Sequence, residues 1–194
     1  MRHLALDIIH DEHQALAAML RSLTMLLQQA RREGELPDFA VLRAMLFYVD
    51  EFPERLHHTK ESELLFPKIR ARAPEIGATL DRLDRDHAHG ERAIRGLEHA
   101  LLAFEVLGEP RRAAFEEATD RYVRFYLDHM AVEESEILPT ARRVLDEADW
   151  AELDAAFAAH RDPLTGHEPS EEYRPLFQRI LMQAPAPIGL GAAH

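Results

Sequence analysis

Four long segments of the chain repeat apolar residues at alternating steps of three and four, the spacing that places side chains on one face of an α-helix. In the first segment the series Leu6, Ile9, Leu16 is interrupted by a histidine, and the other three segments each have a histidine at such a position. The pattern predicts four helices that each direct one histidine into a shared core. These histidines are His13, His57, His87 and His129.

The remaining residues favour an all-α fold. Ala, Leu, Glu and Arg dominate, and glycine is scarce, with 8 in 194 residues. We expect helices over about 4–31, 38–72, 74–106 and 110–146. Pro53 should kink the second helix, and Pro139 should bend or break the fourth. Because the connections are short, we predict an up-down-up-down antiparallel four-helix bundle.

The end of the chain is expected to form an extension of the bundle. The predicted division places the bundle at 1–147 and a C-terminal helical extension at 148–194. Two short helices, at about 149–160 and 171–182, precede an irregular tail rich in Pro and Gly. Trp150 and Phe157 should pack the first short helix on the bundle. Phe177 and Ile180 should dock the second, or bury a homodimer surface instead.

Charge and composition exclude several classes of protein. The net charge of −12 argues against nucleic-acid binding, which needs a basic face. There is no cysteine, so disulfides, cysteine zinc sites and thiol nucleophiles are excluded. No run of 18 apolar residues and no signal peptide is evident, so a cytoplasmic protein without membrane contact is expected.

The four histidines are predicted to lie at one height in the bundle. His13 precedes Arg31 by 18 residues and His57 follows Asp38 by 19, so both lie roughly 27–29 Å from the first connection. His87 and His129 are each 19 residues from the ends of the third connection. The helices should therefore bring their histidines into a single layer.

Two of these histidines are followed one turn later by a glutamate on the same helix face. The pairs are His57 with Glu61 and His129 with Glu133. Buried imidazoles and carboxylates without partners are unfavourable, and a metal ion satisfies both. Six such ligands exceed the needs of a tetrahedral zinc site.

An iron pair fits the ligand count better. Two bridging carboxylates, an oxo or hydroxo bridge and four histidines leave two positions of a six-coordinate iron pair for solvent, O₂, NO or another side chain. We therefore predict two non-haem iron ions as the cofactor.

Four stretches of the sequence resemble the metal-binding stretches of the hemerythrin-like, HHE cation-binding family. They are HDEHQAL, LHHTKESELLFP, RDHAHGERAI and DHMAVEESEILP, and the resemblance covers about 4–146. DWAELDAAFAAHRDPLTG and APAPIGLG resemble the C-terminal extension of bacterial stand-alone members. The resemblance implies a non-haem di-iron centre that binds oxygen, senses oxygen or iron, or handles NO or peroxide. The ligands it implies are His13, His57, Glu61, His87, His129 and Glu133.

The chain departs from the oxygen-carrying hemerythrins on its third and fourth helices. Those proteins have His-x-x-x-His on the third helix, whereas here Glu91 stands four residues after His87. On the fourth they have His-x-x-x-x-Asp, whereas here Glu133 and then Glu134 follow His129. One histidine ligand is therefore missing. Some iron-sensing members carry an extra ligand directly after the second-helix histidine, so the candidates for the missing place are His58, Glu91 and His10.

Three functions follow from this interpretation. The first is a di-iron protein that binds or senses O₂, NO or iron without turnover. The second is a di-iron enzyme, acting on peroxide or NO or as a ferritin-like oxidase. A ferritin-like site needs Glu-x-x-His on two helices, and here Glu54 before His57 is a match while Tyr126 precedes His129. The third is a helical interaction module without metal.

Overall fold

The structure, a computed structural model, describes residues 3–191. Four long helices are present: α1 is Leu4–Glu33, α2 spans 39–72, α3 is Gly77–Leu107 and α4 spans 112–144. Two shorter helices follow, α5 at Glu147–Ala159 and α6 at Arg174–Gln183. Within 3–191 there is no strand, and an isolated bridge joins Pro185 to Gly191. The all-α prediction is confirmed, while residues 192–194 of the predicted tail lie outside the described residues.

Local sequence determines where α1 ends and where α2 begins. Gly34 terminates α1 with a φ of 69°, a left-handed conformation that glycine adopts without strain. Asp38 begins α2, because its side chain accepts hydrogen bonds from the backbone N–H groups of Ala40 and Val41 at 2.9 and 3.2 Å. Short 3₁₀ turns at Pro74–Ile76 and Glu109–Arg111 make the later connections.

Prolines in α2 and α4 do not interrupt these helices. Pro139 was expected to bend or break the fourth helix, and it does not break it, because α4 continues to residue 144. Wider π-helical turns at Asp50–His57, Glu61–Leu65 and Glu133–Ile137 contain or immediately precede the prolines. A π turn bonds i to i+5, so it removes the clash between a proline ring and the carbonyl four residues earlier.

Two apolar clusters fill the bundle, one toward each end. One cluster includes Leu16, Val49 and Ile94, and the other includes Ile9 and Leu83. Along each long helix the predicted histidine falls between residues of the two clusters. Successive helices cross from one cluster to the other in opposite directions, as antiparallel neighbours do. The bundle therefore contains a polar layer between two apolar halves.

Each long helix packs on its neighbours in chain order, and α1 also packs on α4. The extension lies on this bundle, with α5 against α1 and α6 against α2. Trp150, Phe157, Phe177 and Ile180 are buried, as the sequence predicts. Among residues 3–191, no helix has the length and apolar character needed to cross a bilayer.

Candidate metal centre

The polar layer brings five histidines together. His13 and His57 form one group with Glu61, and their ligating atoms lie within 4.8 Å of one another. His58, His87 and His129 form a second group within the same limit. All of these side chains are buried. The single layer predicted from helix rise is thus present, with His58 added to it.

Glu61 and Glu133 lie between the two groups. Glu61 points Oε1 to His57 Nε2 at 3.3 Å and Oε2 to His87 Nε2 at 3.5 Å. Glu133 points Oε2 to His13 Nε2 at 3.3 Å and Oε1 to His129 Nε2 at 3.1 Å. Each carboxylate therefore directs one oxygen to each group, which is the arrangement of a bridging ligand.

The atoms that face the centre of this layer are arranged as expected around a bound cation. Both oxygens of Glu61 and of Glu133 are buried, and so are the Nε2 atoms of His13 and His57, yet none of these atoms forms a hydrogen bond within residues 3–191. Unpaired buried polar atoms are costly, and here they converge on one space. Imidazole nitrogens and carboxylate oxygens are suitable ligands for a transition metal.

The outer nitrogens of the same rings have polar partners. His57 Nδ1 lies 2.7 Å from Glu12 Oε2, and His13 Nδ1 lies 2.9 Å from Glu134 Oε1. His87 Nδ1 lies 2.8 Å from the hydroxyl of Ser62. Such contacts fix the orientation of a ligating histidine and leave its inner nitrogen free to bind metal. The exception is His129, whose Nδ1 has no hydrogen-bond partner among residues 3–191 and lies 3.6 Å from Asp86 Oδ2.

A buried carboxylate also orients His58. Glu54 Oε2 lies 3.1 Å from His58 Nδ1, while Glu54 Oε1 accepts hydrogen bonds of 2.6 Å from the hydroxyls of Tyr122 and Tyr126. The Tyr126 ring stacks on that of His58 at 5.2 Å. Glu54 is thus engaged beside the ligands rather than at the metal position, unlike the glutamate of a ferritin-like site.

Gly90 on α3 makes room for this arrangement. A Cβ atom at that position would lie 1.7 Å from the Tyr126 hydroxyl and 3.0 Å from Glu54 Oε1. The turn of α3 after His87 therefore leaves room at Gly90 for the side chains of Tyr126 and Glu54. That space holds the groups that orient His58, so the extra imidazole comes from α2.

The other two candidates do not reach the layer. Glu91 is exposed and pairs with Arg95 at 2.6 Å, because the inward position of that turn belongs to Gly90. His10 is exposed on α1, with Nδ1 at 3.2 Å from Glu134 Oε1. The structure therefore brings seven of the nine candidate residues together and leaves Glu91 and His10 outside.

A comparison with protein families shows which family the chain belongs to. The profile of the hemerythrin HHE cation-binding domain matches residues 4–141, most of the chain. The chain belongs to the hemerythrin HHE cation-binding family. Neither a curated protein nor a solved structure matches it at a significant level. Membership of this family indicates cation binding, and the histidine and glutamate groups could hold the metal.

The buried charges of this HHE domain act strongly on one another in the metal-free protein. Burial lowers the pKa of His13, but the carboxylates of Glu133 and Glu134 outweigh it and raise the pKa to about 9. Burial likewise opposes the effect of Glu61 and Glu12 on His57, whose pKa rises to about 10. Without metal, protons on these two rings would balance the buried glutamates.

His58 behaves in the opposite way. Burial, followed by the charges of His87, His57 and His129, lowers its pKa well below the usual value. The second group therefore presents a neutral imidazole, the form that binds metal.

The HHE domain also contacts the extension beyond the matched region. The backbone N–H of Asp162 donates to Glu12 Oε1 at 3.3 Å, and Asp162 itself accepts from the Tyr48 hydroxyl. A small cavity of about 20 Å³ lies at this junction, bordered by His13 and His57.

Several residues of the centre were not found from the sequence. Glu134 contacts His13, although its position after Glu133 did not indicate this contact. Nothing local indicated Glu12 or Asp162, which are 150 residues apart in the sequence. Among the groups that orient the histidines, the sequence pointed only to Glu54. Its spacing to His57 was interpreted as that of a possible oxidase ligand. The residues missed are Glu12, Ser62, Tyr122, Tyr126, Glu134 and Asp162.

Proposed function

We propose that this chain is a non-haem di-iron protein that binds or senses a small diatomic molecule, O₂ or NO. The observation that carries the proposal is the pair of imidazole groups sharing Glu61 and Glu133, each of which offers one oxygen to either group. An iron pair in such a setting supplies exchangeable coordination positions and a redox couple.

The ligand set assigns unequal surroundings to the two ions. One ion would be held by His13 and His57, and the other by His58, His87 and His129. With two bridging carboxylates and an oxo or hydroxo bridge, the three-histidine ion has six ligands and the two-histidine ion has five. The two positions that the ligand count left open are thus reduced to one, on the side of His13 and His57.

The surroundings of that side favour a small ligand. The adjoining cavity of about 20 Å³ is large enough for a molecule of the size of water or a diatomic gas, and too small for an organic substrate. Buried side chains around the centre limit the approach of larger molecules. Binding or sensing of a diatomic molecule therefore accounts for the site better than turnover of a large substrate.

Metal analysis tests this function directly. Protein purified without oxygen should contain about two iron ions per chain, and its visible spectrum should change when O₂ or NO is added. A protein that takes up no iron, or an iron-loaded protein whose spectrum responds to neither gas, would contradict the proposal.

The variant His58→Ala tests the assignment of the extra ligand. Loss of this imidazole should alter the visible spectrum and weaken iron retention by the second group, because that group would keep only His87 and His129. His89→Ala is the matched control, since His89 is exposed on α3 and outside the layer. An unchanged iron content and spectrum in His58→Ala would remove His58 from the ligand set.

A further inference from the structure

A segment of the extension lies against the side of the bundle that carries His57. The match to the HHE domain ends at residue 141, and residues 160–165 follow α5 beyond it. This segment contacts α1. Asp162 within it is buried, although polar residues in the connections between helices are ordinarily exposed. The burial indicates that the segment is fixed on the bundle.

The hydrogen bonds of Asp162 explain how the segment is fixed. Its side chain accepts from the N–H of Leu164 at 2.8 Å and from the hydroxyl of Tyr48, a buried residue of α2. Its carbonyl oxygen accepts from the hydroxyl of Thr165 at 2.7 Å. The Asp162 side chain therefore determines both the local turn and the place of that turn on the bundle.

The backbone N–H of Asp162 is connected to the metal layer through Glu12. It donates to Glu12 Oε1 at 3.3 Å, and Glu12 Oε2 lies 2.7 Å from His57 Nδ1. One oxygen of this buried carboxylate thus contacts the extension, and the other contacts a predicted metal ligand. A carboxylate held at both oxygens has a fixed orientation, and it fixes the imidazole that it contacts.

The other oriented histidines have their partners inside the HHE domain. Glu134 of α4 contacts His13, and residues of α2 contact His58 and His87. The contact of the extension with this network is made at Glu12, the partner of His57. An effect of the extension on the centre should therefore fall on the ion beside His13 and His57.

We propose that Asp162 is a positioning residue of the metal centre. It holds Glu12 against His57, so the extension sets how tightly the two-histidine position retains its metal; this assignment rests on the proposed di-iron function. The partner of a ligating histidine contributes about 10–100-fold to metal affinity. Asp162 acts one contact further from the metal, so the expected effect is at the lower end of that range.

NMR of the metal-free protein gives the first measurement. The Nδ1–H signal of His57, identified by its absence in His57→Gln, should be protected from solvent exchange by Glu12. Asp162→Ala should remove this protection. The matched control is Asp154→Ala, which removes another bond between the extension and α1, from the Ala5 N–H to Asp154 at 2.7 Å. It should leave the His57 signal unchanged.

Mössbauer spectra of the iron-loaded protein give the second measurement. The two-histidine and three-histidine ions should give separate doublets, because their surroundings differ. In competition with a chelator, Asp162→Ala should retain the two-histidine ion about ten-fold less tightly and lose its doublet first. Asp154→Ala should match the unaltered protein. Equal weakening of both ions in Asp162→Ala would show a general loss of stability and would overturn the proposal.

Tyr48→Phe keeps the test open if Asp162→Ala does not fold. Phenylalanine keeps the ring packing on Phe52 and Phe177 but lacks the hydroxyl that bonds to Asp162. It should change both measurements in the same direction as Asp162→Ala, and by less.

The outcomes separate the two proposals. A His57 signal that stays protected in Asp162→Ala would overturn the positioning role, and so would a folded Tyr48→Phe protein that matches the unaltered protein in both measurements. Loss of protection in Asp162→Ala, in a protein that takes up no iron, would support the positioning of His57 while contradicting the di-iron function.

Discussion

The five histidines of the centre differ in what orients them. The partners of their outer nitrogens are carboxylates for His13, His57 and His58, and a hydroxyl for His87. A carboxylate partner holds the proton on the outer nitrogen and makes the inner nitrogen a stronger ligand. We therefore predict that these carboxylates and this hydroxyl affect metal retention although they do not contact the metal.

Glu54→Gln tests that effect at His58. The amide keeps the size of Glu54 but loses the charge that holds His58, Tyr122 and Tyr126. We expect iron to be retained about 10–100-fold less tightly, as measured by competition with a chelator.

Glu63→Gln is the control for this change. Glu63 is exposed on the same helix and should be replaceable without effect. Equal retention of iron by Glu54→Gln and the unaltered protein would show that the Glu54 network does not support the centre.

Residue patterns could predict the inner ligands but not their outer partners. The seam positions of His13, His57, His87 and His129 follow from helix geometry, and so does their common height. Glu12 lies next to the seam in α1, and nothing local indicates that it will meet a backbone N–H 150 residues away. Such contacts depend on how the extension folds back, which periodicity does not encode.

At the scale of elements, π-helical turns shape α2 and α4 around the centre. Both helices carry their glutamate at the start of such a turn, Glu61 in one and Glu133 in the other. Propensity rules treat a proline inside a helix as a break. The helices instead widen by π turns. The sequence predicted α2 as continuous past Pro67 and left a bend or a break in α4 open at Pro139, but it did not predict these π turns.

The packing of α3 against α4 depends on Gly90. In Gly90→Ala the new methyl group would collide with Tyr126. A Cβ atom built at Gly90 lies 1.7 Å from the Tyr126 hydroxyl oxygen. Gly96→Ala is the matched control on the same helix, since a Cβ there has no neighbour within 4 Å.

Alanine should stabilise the Gly96 variant by about 0.5–1 kcal/mol through helix propensity. Overpacking should make the Gly90 variant about 1–3 kcal/mol less stable than that control. Denaturant unfolding of both variants measures the difference, and equal free energies of unfolding would show that Gly90 has no packing role.

At the scale of the whole molecule, the polar layer separates the two apolar clusters and connects to the extension. Bound cations would satisfy the converging atoms of Glu61 and Glu133, whereas the metal-free protein must use protons. Ligand binding to the folded state alone stabilises it by about 4 kcal/mol at a thousand times the dissociation constant. Removal of metal should therefore lower the melting temperature.

The stability of the metal-free protein should also depend on pH. The folded-state pKa values of His13 and His57, about 9 and 10, exceed the unfolded value of about 6.5. Their contribution is therefore complete below about pH 6.5 and is lost as the pH rises through 9 to 10.

Thermal unfolding followed by circular dichroism checks this dependence. The melting temperature of the metal-free protein should fall between pH 7 and 10, and that of the iron-loaded protein should fall less. A metal-free protein that becomes more stable over this range would contradict the charge balance described for the centre.

Anomalous diffraction from crystals of the iron-loaded protein tests the central claim most directly. The account predicts two peaks at the iron edge, both between Glu61 and Glu133. One should lie beside His13 and His57, and the other beside His58, His87 and His129. A single peak, or peaks outside this polar layer, would contradict a carboxylate-bridged iron pair.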